Sequence, residues 1–162
     1  MRDLTVLAVS DDARWLTLFW TEVRCFPGAR LVIAKSLAEG AELVDCTAPD
    51  LIAVDWPRAT DGRRSDEMDQ LLWSNSILPR PATVLVADEV YDDQTALYLF
   101  RAGVDEYISM TEHPDSIATI VGQWLGRRPE PSPWRDEVLA RTMAALVTVV
   151  PSAEPVAALT SA

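Results

Sequence analysis

The run Leu51-Ile52-Ala53-Val54-Asp55 constrains this chain most. It is apolar up to a terminal carboxylate and lies between Pro49-Asp50 and Trp56-Pro57. A proline on each side leaves no room for a helix, so the run reads as a strand buried on both faces. Apolar strands that do not alternate with polar residues belong to parallel sheets covered on both sides. In such sheets the C-terminal strand edge carries the chemistry, which makes Asp55 the residue to explain.

The same pattern recurs along the chain. Leu4 to Val9 is a β-rich run that stops at Ser10-Asp11-Asp12, after which Trp15, Leu16, Phe19, Trp20 and Val23 recur at helical spacing. Pro27-Gly28 closes that helix, Arg30 to Ala34 form a second strand, and Ser36 with Glu39 makes a capping box for a second helix to about Cys46. Beyond Asp55, a polar loop from Arg58 to Arg64 leads to a helix from Ser65 to Ser76 with Met68, Leu71 and Leu72 inward. Thr83 to Ala87 is a fourth strand ending at Asp88-Glu89, and a helix from Asp93 to Ala102 stops at Gly103. Val104 to Ser109 give a fifth strand. His113-Pro114-Asp115 opens a fifth helix that ends at Gly126.

Strands alternating with helices on short connections predict an α/β fold, a doubly wound five-stranded parallel sheet with helices on both faces. Residues 1–126 are expected to form this domain. Residues 127–133, Arg-Arg-Pro-Glu-Pro-Ser-Pro, read as a stiff linker. Residues 134–162 read as an extra C-terminal helix, Trp134 to about Val147, followed by a flexible tail.

Charge narrows the partners. At 162 residues the chain carries a net charge of −11, which repels a phosphate backbone rather than neutralising it, so nucleic acid is not an expected partner. No basic leader and no run of about 18 apolar residues is present, and a cytoplasmic protein without membrane spans is expected. Cys25 and Cys46 are expected to be free, buried thiols. Trp15, Phe19, Trp20 and Trp73 are expected in the core, whereas Trp56 is expected to be at least half exposed. The one histidine, His113, precedes Pro114 at a helix start and reads as a capping or exposed residue rather than a catalytic one.

In a sheet of this kind the first and third strands are neighbours, which draws Asp11, Asp12 and Asp55 together. Crowded carboxylates repel, and a hard divalent cation such as Mg²⁺ relieves that, with the Pro57 carbonyl as a further ligand. With the metal bound, Asp55 can attack a phosphoryl group to give an aspartyl phosphate.

On these residues the chain resembles the receiver domains of two-component response regulators. The resemblance spans residues 4 to about 126. It rests on Val9-Ser10-Asp11-Asp12, Pro49-Asp50-Leu51-Ile52-Ala53-Val54-Asp55, Val86-Ala87, and Ala102-Gly103-Val104-Asp105-Glu106-Tyr107. It implies a flavodoxin-like sheet of order 2-1-3-4-5, Asp55 as phosphoacceptor from a histidine kinase, Mg²⁺ on the acidic turn, and a Tyr107 that changes rotamer with a hydroxyl residue on the fourth strand.

The departures are equally specific. Ser10 takes the place of one of the two acids of the acidic pair. Val86 stands where the resemblance requires Thr or Ser, with Ala87 beside it, and Met110-Thr111 stands where it requires Lys-Pro. The only lysine, Lys35, follows the second strand, so no shift of alignment restores an ammonium at Met110. The expectation is an atypical or pseudo-receiver, a non-enzymatic protein-interaction module whose phosphorylation switch is impaired or absent.

The expected partners are a histidine kinase or other signalling protein. Leu97-Tyr98-Leu99-Phe100 suggests a homodimer through the helix 4–strand 5–helix 5 face. A working single-domain response regulator phosphorylated on Asp55 is the alternative. An Mg-dependent phosphatase is remote, because that class needs a second Asp two residues after its first-strand nucleophile, whereas Asp11 and Asp12 are adjacent. A dinucleotide-binding protein is remoter still, because the first turn has no glycine.

Overall fold

The computed structural model describes residues 3–56, 63–112 and 116–125. Its elements alternate as β1 (Leu4–Val9), α1 (Ala13–Val23), β2 (Ala29–Ala34), α2 (Leu37–Thr47), β3 (Leu51–Asp55), α3 (Arg63–Ser76), β4 (Thr83–Asp88), α4 (Asp93–Ala102), β5 (Glu106–Ser109) and α5 (Ser116–Leu125). The strands form one parallel sheet in the order β2-β1-β3-β4-β5. This is the expected doubly wound sheet. The Arg58–Gly62 loop, Pro57, His113-Pro114-Asp115, Gly126, the linker and the C-terminal helix and tail lie outside the described residues.

Side chains on successive strand residues point to opposite faces, and each face has its own core. Leu7, Val9, Ile52, Val54, Val84, Val86 and Tyr107 pack with α2, α3 and α4 residues such as Val44, Met68, Leu71 and Leu99. Val6, Ala8, Ala53, Leu85, Ala87 and Ile108 pack with Trp15, Phe19 and Val23 of α1 and with Ile117 and Val121 of α5. Burial on both faces explains why β1, β3 and β4 carry no polar alternation.

The local signals act largely as expected. Asp12 caps α1 by accepting from the Arg14 amide at 2.8 Å. Ser36 caps α2 by accepting from Glu39 N at 3.1 Å, while the Glu39 carboxylate reaches Lys35 N, at 2.6 Å, rather than the Ser36 amide. Gly103 ends α4 at φ 107°, a left-handed conformation that a side chain would strain.

Four expectations need correction. Trp73 is not in the core but 67% exposed, because the turn of α3 that carries it faces away from the sheet. Cys46 is exposed on α2 and Cys25 is only half-buried, so neither is a buried thiol. Strand β5 starts at Glu106, because the Val104 amide still bonds Leu99 O as part of the α4 end. Helix α3 starts at Arg63 rather than Ser65.

Candidate functional site

The register of the central strands builds the site. Val9 pairs with Val54, which puts Ser10 and Asp55 side by side just beyond the last β1–β3 pair, and Asp55 pairs with Ala87 on the other side. Ser10 is buried and donates its hydroxyl to Asp55 Oδ2 at 2.7 Å, while Ser10 Oγ itself accepts from the Asp12 amide at 3.0 Å. The acidic turn is therefore fastened to β3 through one serine. Trp56 is not half exposed, as expected, but partly buried against the core on the α2–α4 side, and its amide donates to Ala87 O at 2.7 Å.

Asp55 is also half-buried. Desolvation pushes its carboxyl above the usual carboxylate range, the Ser10 hydrogen bond pulls it back, and the charges of Asp12, Asp11 and Asp88 raise it further. The carboxylates feel one another but their oxygens are committed differently. Asp11 is exposed, Asp12 caps α1, and Asp55 holds Ser10.

A second polar group adjoins this one. Asp88, the last residue of β4, is buried, and its Oδ2 accepts from the Tyr107 hydroxyl at 2.7 Å. Its Oδ1 accepts from the Glu89 amide at 2.7 Å, and its backbone oxygen accepts from Met110 N at 2.8 Å. Tyr107 is buried beneath Tyr91, with ring centroids 4.9 Å apart, and its oxygen accepts from the Asp92 amide at 3.3 Å. Burial first, then the bond to Asp88, raises the Tyr107 phenol well above its ordinary range. Ser109, fully buried, donates to Glu89 O at 2.9 Å and accepts from Glu112 N at 3.1 Å.

Solved structures share this architecture. A LuxR-family two-component response regulator from Aurantimonas sp. superposes with a TM-score of 0.60 at 18% identity, covering 88% of this chain and 99% of that one. The response regulator domain of CheB from Thermotoga maritima gives 0.56 at 17% identity, with 93% and 100% covered. Another Thermotoga maritima response regulator gives 0.63 at 17% identity, with 77% and 99% covered. No sequence-family profile matches the chain, and no curated protein sequence matches it either.

The chain has the receiver fold of response regulators.

Within this receiver fold the residues expected to form the switch do not all stand at the rim. Val86 is fully buried in the core on the α2–α4 side, registered with Val54 and Tyr107, and does not occupy the strand end. The rim residue of β4 is Asp88, and it is Asp88 that meets Tyr107. Ala87 is buried opposite Asp55. Met110 follows β5, is half-buried, and packs against the core on the α1–α5 side. Of the residues that make these rim contacts, Asp88 and Ser10 were the least legible in the sequence. Asp88 did carry a signal, since it ends an apolar strand as Asp55 does.

The described donors at this rim do not fit a divalent cation. Among the described residues, no three or more Asp, Glu, His or Cys are arranged to hold a metal ion. A hydroxyl donor from Ser10 sits on Asp55 Oδ2 in place of a second carboxylate, and Asp12 Oδ1 accepts in its helix cap. Pro57, the other expected ligand, lies outside the described residues.

Proposed function

We propose that this chain is a receiver-type protein-interaction module of two-component signalling, non-enzymatic, whose contacts with partners do not depend on phosphoryl transfer to Asp55. The observation that supports this reading is the Ser10–Asp55 hydrogen bond at 2.7 Å. It engages one of the two oxygens, Oδ2, of the carboxylate that would attack phosphorus, from a position where the resemblance requires an acid. No ammonium compensates for added phosphoryl charge, because the chain's only lysine follows β2 and Met110 follows β5. Without a cation, a phosphoryl group on Asp55 would face the negative charges of Asp11, Asp12 and Asp88.

The partner is a histidine kinase or another signalling protein of the cytoplasm. Val90, Tyr91, Leu97 and Phe100 present exposed apolar surface on α4 and the segment before it, a surface on which a partner or a second copy of the chain would bury apolar area. Among the described residues, no helix is long and apolar enough to cross a membrane.

One observation favours the alternative of a phosphorylated single-domain regulator: Asp55 ends β3 and remains partly open to solvent. The two readings separate on incubation with millimolar Mg²⁺ and acetyl phosphate or beryllofluoride, followed by intact mass and Trp56 fluorescence. The proposal expects no stoichiometric adduct and no fluorescence change. An adduct with a conformational change, both lost in Asp55→Asn, establishes the alternative.

A further inference from the structure

Tyr107 joins three segments that are far apart in sequence. Its hydroxyl donates to the buried Asp88 carboxylate at the end of β4 and accepts from the Asp92 amide. Asp92 in turn caps α4 by accepting from Thr95 N at 2.7 Å. A continuous hydrogen-bonded path thus runs from the sheet rim to the first turn of α4. The intervening connection is fastened twice more to β5 and the turn after it, through Met110 N to Asp88 O and through Ser109 to Glu89 O and Glu112 N. The helix so positioned carries Leu97 and Phe100, 47% and 45% exposed.

The acceptor at the centre of this path is a carboxylate. It needs no recruitment, because a charged acceptor holds a phenol donor about twice as strongly as a neutral one and Asp88 already touches Tyr107 with Asp55 unmodified. Asp55 makes its own bond to Ser10, on the other side of the Ala87 pair, and shares no hydrogen bond with Tyr107.

We propose that Asp88, Tyr107 and Asp92 form a permanently closed latch that fixes the start of α4, and with it the exposed apolar face of that helix, independently of Asp55. This rests on the proposed reading of the site as a receiver-type interaction module and names what sets the conformation of its binding face. Tyr107→Phe keeps the ring packing and removes the latch. Asp88→Ala removes its acceptor.

The test is the solvent-exchange rate of the Asp92 amide, measured by NMR on the full chain without Mg²⁺ or phosphodonor, so that its outcome is separate from that of the phosphorylation experiment. Tyr107→Phe and Asp88→Ala are each expected to speed exchange about fivefold, the factor that loss of one hydrogen bond of average net strength gives. Asp55→Asn is expected to leave the rate within about twofold of the wild type, since that corresponds to less than half of one such bond. An unchanged rate in Tyr107→Phe or Asp88→Ala overturns the latch, and a larger change in Asp55→Asn overturns its independence.

Discussion

Ser10 donates its hydroxyl to Asp55 across a sequence separation of 45 residues, and this single contact makes the acidic turn and the end of β3 one unit. It also leaves Asp55 half-buried with its charge poorly compensated.

The first prediction follows from that imbalance. Because burial raises the Asp55 pKa above its ordinary 3.8, the folded state binds the proton more tightly than the unfolded state does. Protonation therefore favours folding. The penalty of the ionised form is absent below the unfolded value, grows as pH rises through the folded one, and is complete at neutral pH. Asp55→Asn, which preserves an acceptor for Ser10, is expected to raise the urea midpoint at pH 7. The gain should be less than about 1 kcal/mol, since water screens a half-exposed group, and should disappear on acidification below the ordinary value. A loss of stability at pH 7 contradicts this account.

Asn75 is buried and holds both backbone groups of Ala82, accepting from its amide at 2.7 Å and donating to its carbonyl at 2.9 Å. It thereby does for the lead into β4 what a neighbouring strand would do. Asn75→Ala leaves both groups buried without a partner and is expected to cost about 2–4 kcal/mol. Denaturant unfolding measures it directly.

Helix α2 approaches β1 closely at Gly40, where a Cβ would stand 3.0 Å from Val9 Cγ2 and 3.5 Å from Leu71 Cδ1. Gly40→Ala is expected to be near neutral, the tight contact offsetting about 0.5–1 kcal/mol of helix propensity. Gly40→Val overfills the site and should cost about 1–3 kcal/mol. Equal thermal shifts for the two variants would mean that α2 simply moves away.

Trp73 and Phe19 offer a paired test of the two aromatic environments. Phe19 is fully buried and stacked on Trp15 with centroids 5.0 Å apart, so Phe19→Ala should cost about 3–5 kcal/mol. The exposed Trp73→Ser should change stability by no more than about 0.5 kcal/mol. A large loss for Trp73→Ser would place that ring in the core after all.

The order and type of the five strands and five helices among the described residues were legible because burial on both faces writes itself into β1, β3 and β4 as unbroken apolar runs, and because Ser36 and Gly103 punctuate locally. Asp55 was legible for the same reason, being a charge that interrupts such a run. Trp73 was misread because helical spacing shows that residues share a face but not which face meets the sheet. Val86 lies two residues short of the end of β4, because counting along a strand does not say where the sheet's rim falls.

The amino-acid sequence by itself therefore determined the alternating α/β architecture and the carboxylate at the end of β3, since these depend on local periodicity and breakers. The tertiary structure decided that Asp55 bonds Ser10 and that Tyr107 bonds Asp88. Both join segments far apart in sequence at the ends of neighbouring strands, and side-chain partners across a sheet are set by register and by the choice of face, which no single strand encodes.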